Sequence, residues 1–531
     1  MRPPTAFTHP VVVVGSALVG AAFALPLAYV VWRNVTEGGD LGAELTSART
    51  LEPLIRSLVL AVATALATSV IGTTLAWLTI RTDIPVRRLW QVLAPLPLVF
   101  PSFVGAAALL ASLAPGGLLD ELLSPLGVNE LPRVEGFVGA TLVLTLFTYP
   151  YVYLPVAARL RGLPPSLEES ARVLGRGPWS TFRTIVLPQI LDPIRAGAVL
   201  VFLYALSDFG AVALMRYDTL TRSIYANYQG LRLSRAFTLA LILALLAIVV
   251  AATERRIGAP VDGGRAGRPP NEVALGRWRW PAVLVVFTVV ANALIGPVAA
   301  LTHWAGRGIV RDEDPWGRLG DEMGQLVSPA ITTILLGLAT AAIAVAVLLP
   351  VAWLTRRWRS PFTSVINALV VAGFALPGLA IALSVVFWSL KSPLSGLLYQ
   401  SWPVLVFAYV VHFGAQALRT GQVAVDGVPN RISEAGATLG ASRFRRLLTL
   451  ELPLMTPGLL AGGGLVLLST MKELPATLLA RPIGAETLAT EVWGAWEEGF
   501  LTEVGLSALL LLALSGILTW FLIVRRADAF D

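Results

Sequence analysis

Long apolar segments alternate with short polar segments along almost the whole chain. Each apolar segment is about 20 residues long, the length at which a helix crosses a hydrocarbon layer of ~30 Å. The pattern predicts an all-α, polytopic membrane protein with about twelve transmembrane helices. The predicted spans are residues 11–32, 54–80, 89–114, 137–160, 194–215, 237–252, 280–301, 327–354, 364–390, 402–418, 455–474 and 504–524.

The composition excludes several other classes of protein. Of the 531 residues, 56% are hydrophobic and 14% are charged, whereas a soluble domain carries about 25% charged residues. The first apolar segment is too long for a signal-peptide core, so we expect it to remain as a helix. The chain has no cysteine, which excludes disulfides and thiolate metal sites. His9, His303 and His412 are far apart in sequence and identify no metal-ligand set.

Basic residues indicate the orientation of the helices. With the N-terminus placed inside, most of the 40 Lys and Arg residues fall in inner segments, whereas most of the 33 Asp and Glu residues do not. This asymmetry follows the positive-inside rule and predicts a multi-pass protein of the cell (plasma or inner) membrane with both termini cytoplasmic. The net charge of +7 therefore needs no nucleic acid as a partner, and membrane lipid is the expected surrounding.

The chain contains an internal repeat. Trp77, in the sequence Ala-Trp-Leu-Thr, recurs 276 residues later as Trp353, and Pro101 recurs at the same shift as Pro377. An even number of spans in each copy predicts two homologous six-helix halves in the same orientation. We expect a first half at residues 1–255, a cytoplasmic linker at 256–278 and a second half at 279–531.

Two polar cytoplasmic segments, residues 164–190 and 429–454, form a further repeat. Each starts with proline, continues as a short helix and ends in a Leu-Pro pair before the next span. Ser166 and Glu169 have the spacing of a capping box, and Asn430 is a favourable N-cap for the second helix. Two matched helices that project into the cytoplasm predict a docking surface for a soluble partner.

These segments resemble the coupling loops of permeases from ATP-binding-cassette (ABC) importers. The shared pattern is a glutamate, a glycine six residues later, a hydrophobic residue ten residues after that, and then x-Leu-Pro. Ser170 and Gly436 depart from the family's Glu-Ala-Ala pattern, but both are small. The resemblance implies that the ATPase-coupling residues are Glu168, Glu169, Ala171, Gly175, Leu187, Pro188, Glu434, Ala435, Gly440, Leu452 and Pro453.

Two further motifs resemble the fused permeases of ferric-iron importers. They are Leu206-Ser207-Asp208-Phe209-Gly210 in the fifth span and Met471-Lys472-Glu473-Leu474-Pro475 at the end of the eleventh. Related thiamine permeases share the fused layout, whereas the Lys-Glu-Leu-Pro stretch is typical of the iron group. The resemblance covers essentially the whole chain and implies a type I ABC importer permease with the MetI-like fold.

The resemblance also implies the partners of the chain. Two copies of a separate ATPase subunit would bind ATP-Mg beneath the two loops, and an extracytoplasmic binding protein would deliver ferric iron. The chain has no Gly-x-x-x-x-Gly-Lys-Ser/Thr phosphate loop. We therefore expect no enzymatic activity and no cofactor in this chain.

Charged residues within spans are candidates for the translocation path, because a charge inside a membrane is costly unless it is paired or solvated. Asp208 and Glu473 share the 265-residue shift that relates Glu169 to Glu434, so the repeat axis would bring both carboxylates together. Carboxylate oxygens suit a hard cation such as ferric iron. The alternative is structural: Lys472 neutralises Glu473, and Asp208 caps a helix join. The expected path residues are Ser207, Asp208, Lys472 and Glu473, with Pro101 and Pro377 as candidate hinges.

Three alternatives to a ferric-iron importer remain. The same mechanism with thiamine, phosphonate or another small solute as cargo accounts for the same loops. An ion-coupled secondary transporter would use Asp208 and Glu473 as coupling carboxylates, but it needs no matched docking helices. A non-transporting membrane scaffold leaves the intramembrane acids without a role.

Overall fold

The structure, a computed structural model, describes residues 10–36, 41–127, 134–257, 272–310, 313–358 and 360–520. Within these ranges the chain is predominantly helical, and β pairing is limited to one isolated parallel bridge between Thr82 and Val273. Most of the predicted linker, residues 258–271, and both chain ends lie outside the described residues.

The described helices follow the order of the apolar segments. In the first half they are α1 (Pro10–Thr36), α2 (Leu41–Thr46), α3 (Ala48–Arg81), α4 (Arg87–Leu93), α5 (Ser102–Leu113), α6 (Leu118–Leu123), α7 (Gly136–Thr148), α8 (Pro150–Arg161), α9 (Pro165–Val173), α10 (Pro178–Thr181), α11 (Leu187–Ser207), α12 (Gly210–Leu214), α13 (Leu220–Gln229) and α14 (Leu233–Ile257). In the second half they are α15 (Arg279–Val290), α16 (Gly296–Val310), α17 (Pro315–Arg357), α18 (Pro361–Ala375), α19 (Gly378–Lys391), α20 (Ser395–Leu398), α21 (Trp402–Asp426), α22 (Asn430–Thr438), α23 (Arg443–Arg446), α24 (Leu452–Met471), α25 (Pro475–Ala480), α26 (Leu488–Glu498) and α27 (Leu501–Thr519). Short 3-10 helices (Leu96–Val99, Ser124–Leu126, Gly276–Trp278) and π-helical turns (Phe182–Val186, Ala291–Ile295, Leu447–Glu451) connect some of them.

The number of spans is close to the prediction. Among the described residues, ten helical segments are long and apolar enough to cross a membrane, and the bent pair α18–α19 raises the number to eleven. Helix α21 is not among them, but its 25 residues make it ~37 Å long, which exceeds the hydrocarbon thickness. It packs between α17 and α24. The predicted all-α, multi-pass membrane fold is confirmed, and helices satisfy the backbone polar groups that lipid cannot.

The repeat extends to the boundaries of individual elements. Helices α9 and α22 start 265 residues apart, as do α10 and α23 and the π-helical turns that follow them. Gly175 and Gly440, which follow α9 and α22, both have a φ of 78°. This left-handed backbone conformation favours glycine at the end of a helix. The same turn is therefore encoded twice.

Several predicted spans are interrupted or end at a break between helices. The predicted span 89–114 is divided into α4, a 3-10 helix and α5, and the apolar segment long enough to cross the membrane starts only at Ser102. The fifth predicted span breaks after α11, and the eleventh ends within three residues of the end of α24. The short helices α12 and α25 follow these two breaks. The apolar pattern did not reveal the breaks in the third and fifth spans, because apolar residues lie on both sides of them.

The candidate hinge prolines of the third and ninth spans, Pro101 and Pro377, directly precede new helices. Pro101 (φ −63°, ψ 143°) and Pro377 (φ −60°, ψ 139°) are the N-cap residues of α5 and α19. Helices α18 and α19 meet at 108°. A proline cannot donate the backbone hydrogen bond that would continue the preceding helix. Both prolines therefore lie at breaks between two helices and not within continuous helices.

The predicted caps of the two docking helices are wrong. Helix α9 starts at Pro165, so Ser166 is its second residue. Helix α22 starts at Asn430, and Pro429 is its N-cap, with no side-chain cap bond. Proline favours the start of a helix because its fixed φ suits the first turn and its missing N–H would have no partner there.

The first helical segment of each half packs against the other half, so the two halves exchange these segments. Helix α1 of the first half packs against α18 and α19 of the second, and α16 of the second half packs against α5 of the first. Phe23, Phe103 and Leu379 are buried in one apolar cluster that spans both halves. This exchange places α5 and α19, with the breaks that precede them, in the interior between the halves.

Candidate functional site

A cavity of about 170 Å³ is lined by residues of both halves. Its walls come from the starts of α5 and α19, from the α11–α12 and α24–α25 joins, and from α21. The four residues that were predicted for the translocation path all line this cavity. They are Ser207, Asp208, Lys472 and Glu473. Pro101 also lines it, whereas Pro377 precedes the lining residue Gly378.

Asp208 occupies the break between α11 and α12. Its Oδ1 accepts hydrogen bonds from the backbone N–H groups of Ala211 (3.0 Å) and Val212 (3.4 Å), and its Oδ2 accepts from the hydroxyl of Ser102. The side chain therefore caps the N-terminus of α12, where unpaired N–H groups favour a negative charge. The predicted structural role for Asp208 is present, and its carboxylate also lines the cavity.

Glu473 occupies the matching break between α24 and α25. Its Oε1 accepts from the backbone N–H of Ala476 at 3.0 Å, and its backbone carbonyl accepts from the hydroxyl of Thr477 at 2.6 Å. The Nε2 atom of His412 lies 4.0 Å from its Oε2. The two carboxylates thus play the same capping role in the two halves and line the same cavity.

Lys472 and Ser207 occupy equivalent positions but make different contacts. The Nζ atom of Lys472 donates to the backbone carbonyl of Leu98 in the first half at 2.7 Å. The hydroxyl of Ser207 donates to the carbonyls of Leu203 and Tyr204 in its own helix. Lys472 therefore joins the two halves at the cavity through a backbone carbonyl.

Several residues of the cavity were missed by the sequence analysis. They include Ser102, Tyr204, Gln416 and Ser469, of which Gln416 and Ser469 hydrogen-bond to each other at 3.0 Å. Ser102 could have been predicted from the sequence, because it follows the repeated proline Pro101. The others are uncharged residues in apolar helices and carry no distinguishing signal. In the described residues, no group of three or more His, Asp or Glu side chains is arranged to hold a metal ion.

The docking helices present their repeated glutamates to solvent. Glu169 on α9 and Glu434 on α22 are exposed, whereas Ala171 and Gly436 are buried. The second of the two small positions in the family pattern is therefore a packing position, whereas the first, Ser170 and Ala435, is exposed. The two Leu-Pro pairs, at 187–188 and 452–453, form the first turns of α11 and α24, directly after the π-helical turns.

Glu168 does not share the exposure of Glu169. It is 4% exposed and forms an ion pair with the fully buried Arg81 at the end of α3. Of the residues predicted for ATPase coupling, Glu168 is thus directed toward the membrane-spanning part of the chain. The sequence analysis missed Arg81, although its position at the cytoplasmic end of a span could have marked it.

This fold and this pair of repeated loops define a membrane permease built from two copies of one module. The model of the family described as binding-protein-dependent transport system inner membrane component matches the chain twice, at residues 69–258 and 340–528. The chain belongs to this family. The predicted family and the predicted two-fold organisation are confirmed.

Individual relatives cover the chain to different extents. The Fe(3+)-transport system permease protein FbpB 2 of Haemophilus influenzae is 30% identical over 507 residues, which cover 94% of this chain and 95% of that protein. The molybdenum transport system permease protein ModB of Escherichia coli is 35% identical over 141 residues, 26% of this chain and 60% of that protein. A probable molybdenum ABC transporter permease of Haloferax volcanii is 29% identical over 228 residues, 43% of this chain and 81% of that protein. These relatives are transport components, and only the iron permease matches over both halves.

Proposed function

We propose that this chain is the membrane-spanning permease subunit of an ABC importer that carries ferric iron into the cell. One observation carries the proposal of a cation as cargo: Asp208 and Glu473, from the two halves, line a single cavity. Carboxylates are hard oxygen ligands of the kind that a trivalent metal ion prefers. The near full-length match to a ferric-iron permease supports the same cargo.

The proposed energy source is a separate ATPase, bound as two copies to α9 and α22. The chain itself would hold no cofactor and catalyse no reaction, and ATP-Mg would be bound by the ATPase partner. The exposed Glu169 and Glu434 would contact that partner. Ala171, Gly175, Ala435 and Gly440 would shape the docking helices and their terminal turns.

Helices α11 and α24 connect each docking segment directly to a carboxylate. Helix α11 spans 21 residues from Leu187 to Ser207, and α24 spans 20 residues from Leu452 to Met471, so each is a rod of ~30 Å. When ATP closes the partner dimer, the two docking segments would approach each other and the rods would tilt. The cavity would then open toward the binding protein on the outer side. The breaks at Pro101 and Pro377 are the proposed hinges.

The proposed topology places both termini and the linker 256–278 in the cytoplasm, with halves at 1–255 and 279–531. An extracytoplasmic binding protein would release iron on the opposite side. The positive-inside distribution supports this orientation. Lipid surrounds the exposed apolar faces, which include Val62, Leu66 and Val70 of α3.

A second cargo class is favoured by one observation. The ammonium group of Lys472 lines the same cavity, and an oxyanion would be attracted to it. Two relatives that match 43% and 26% of this chain are named for molybdenum transport. An oxyanion is therefore the second candidate among the small solutes.

Reconstitution tests the proposed function. Proteoliposomes would contain this chain, its ATPase and its binding protein, with ATP enclosed on the ATPase side. We expect ATP-dependent accumulation of radiolabelled ferric iron that excess molybdate, sulfate or thiamine does not reduce. Accumulation of one of those solutes with no iron uptake would overturn the proposed cargo. Uptake driven by an ion gradient without ATP would overturn the ABC mechanism.

A further inference from the structure

We propose that the Arg81–Glu168 ion pair fixes the first docking helix, α9, to α3, and that the end of the linker extends this rigid unit to the second half. The inference rests on the proposed role of α9 as an ATPase-docking helix. Arg81 and Glu168 are positioning residues in this account, since neither lines the central cavity. The consequence is that the two docking loops transmit motion by different routes.

The ion pair between Arg81 and Glu168 is buried. Arg81 is the last residue of α3 and is fully buried, and Glu168 on α9 is almost fully buried. The Nη2 atom of Arg81 donates to Oε1 of Glu168, and its guanidinium carbon lies 5.7 Å from the ring centroid of Trp77. Removing one partner of a buried ion pair is costly because the other charge is left without compensation. Helix α9 is therefore held firmly against α3.

The end of α3 also contacts the end of the linker. The backbone N–H of Val273 donates to the carbonyl of Arg81 at 2.7 Å, and the N–H of Leu275 donates to Oδ1 of Asp83 at 2.9 Å. Arg87 forms an ion pair with Glu272. Helix α15, the first of the second half, starts only four residues after Leu275. The end of α3 is therefore attached to α9 on one side and to the second half on the other.

The second docking loop makes different contacts at the equivalent positions. The positions equivalent to Arg81 and Glu168 are Arg357 and Ser433. The hydroxyl of Ser433 donates to Oε1 of Glu451 at 2.7 Å, within the same docking segment. Arg357 donates to the backbone carbonyl of Val428 at 3.1 Å. Ser433 therefore contacts its own docking segment, whereas Glu168 pairs with the end of α3, and the end of α17 contacts the backbone just before α22.

Hydrogen exchange of the purified permease tests this attachment without any partner. In Glu168→Gln and in Arg81→Gln we expect amides of α9 to exchange at least about tenfold faster, because a buried charge loses its partner. Ser433→Ala is the matched control and should leave α9 unchanged. The double variant Arg81→Gln with Glu168→Gln removes both charges, and should exchange more slowly at α9 than either single variant. Unchanged exchange in both single variants, or strictly additive effects in the double variant, would overturn the proposed attachment.

Reconstituted transport tests its consequence. Glu168→Gln should still bind two ATPase copies, because Glu169 on the exposed face is unchanged, but iron imported per ATP hydrolysed should fall at least about fivefold. The double variant should recover part of that ratio, and Ser433→Ala should keep the native ratio. Loss of ATPase binding in Glu168→Gln would identify Glu168 as a docking contact and overturn the inference. Failure of the native chain to bind ATPase would instead overturn the proposed function, while the exchange experiment would still decide the attachment.

Discussion

Gly378 lies against the carboxylate of Glu473, at the position that Ser102 occupies beside Asp208 in the other half. A Cβ atom on Gly378 would lie 2.7 Å from Oε1 of Glu473, whereas the hydroxyl of Ser102 donates to Asp208. Glutamate is one methylene longer than aspartate. The second half therefore accommodates the longer acid by removing the side chain that faces it, so that both carboxylates line one cavity.

This relationship predicts the effect of adding a side chain at position 378. Gly378→Ser should displace Glu473 and destabilise the protein by about 1–3 kcal/mol, the usual cost of overpacking. Adding Glu473→Asp should restore stability, because the pair then copies Ser102 and Asp208. Thermal unfolding in detergent provides the measurement. Gly306→Ala in α16 is the control, since nothing lies within 4 Å of its added Cβ. Equal melting temperatures for Gly378→Ser and the native protein would contradict the account.

The exposed glutamates of the docking helices predict loss of the ATPase. Glu169→Ala combined with Glu434→Ala should weaken ATPase binding at least about tenfold, because each substitution removes a charge from the proposed interface. Membrane insertion should be normal. Co-purification with the ATPase measures the effect, and the exposed Ser180→Ala in the same segment is the control. A full complement of bound ATPase and native uptake in the double variant would disprove the assignment of the coupling loops.

The proposed orientation predicts which surface sites are accessible from outside the cell. The chain has no cysteine, so single cysteines can be labelled without background. A cysteine replacing Ser124 should react with a membrane-impermeant thiol reagent in intact cells, whereas one replacing Ser180 should react only after lysis. The reverse labelling pattern would place the docking loops on the wrong side of the membrane.

The stability of the folded protein should depend on pH through Glu491 on α26. Burial, followed by the hydrogen bond and the charge of Glu486, raises the pKa of Glu491 to about 8, and Arg481 opposes this shift. Because the folded pKa exceeds the ordinary value of 4.5, protonation of Glu491 favours the folded state. This contribution is fully present below pH 4.5 and is lost as the pH rises through about 8.

Melting temperatures measured across this interval test the expectation. The native protein should become less stable toward pH 8, and Glu491→Gln should reduce that loss because glutamine does not titrate. Glu313→Gln, at an exposed position, is the control and should keep the native pH dependence. An identical pH dependence in Glu491→Gln and in the native protein would rule out this role for Glu491.

The sequence predicted the features that depend on hydrophobicity and repetition. Apolar segments of membrane length and the matched Glu169 and Glu434 segments were sufficient for the fold class and the family. The 265-residue shift also paired Asp208 with Glu473, which line one cavity. These features depend on local sequence or on the repeat itself.

Other features depend on contacts between distant residues and were not predictable in this way. Hydropathy did not show that α11 ends next to Asp208, because the following residues are also apolar. The pairing of Arg81 with Glu168 joins positions 87 residues apart, whereas Ser433, at the position equivalent to Glu168, donates to Glu451 of its own segment. The repeat therefore predicted what the halves share and missed the contacts in which they differ.

The most direct test of the account is iron uptake after removal of both cavity charges. Asp208→Asn combined with Glu473→Gln keeps an oxygen that accepts the capping hydrogen bonds, so α12 and α25 should remain folded. We predict that uptake of radiolabelled ferric iron by reconstituted transporters falls at least about tenfold, because two charges that attract the cation within the membrane are lost. ATPase binding should persist at the native level. Native iron uptake by this double variant would contradict the account and would show that the two acids only cap their helices.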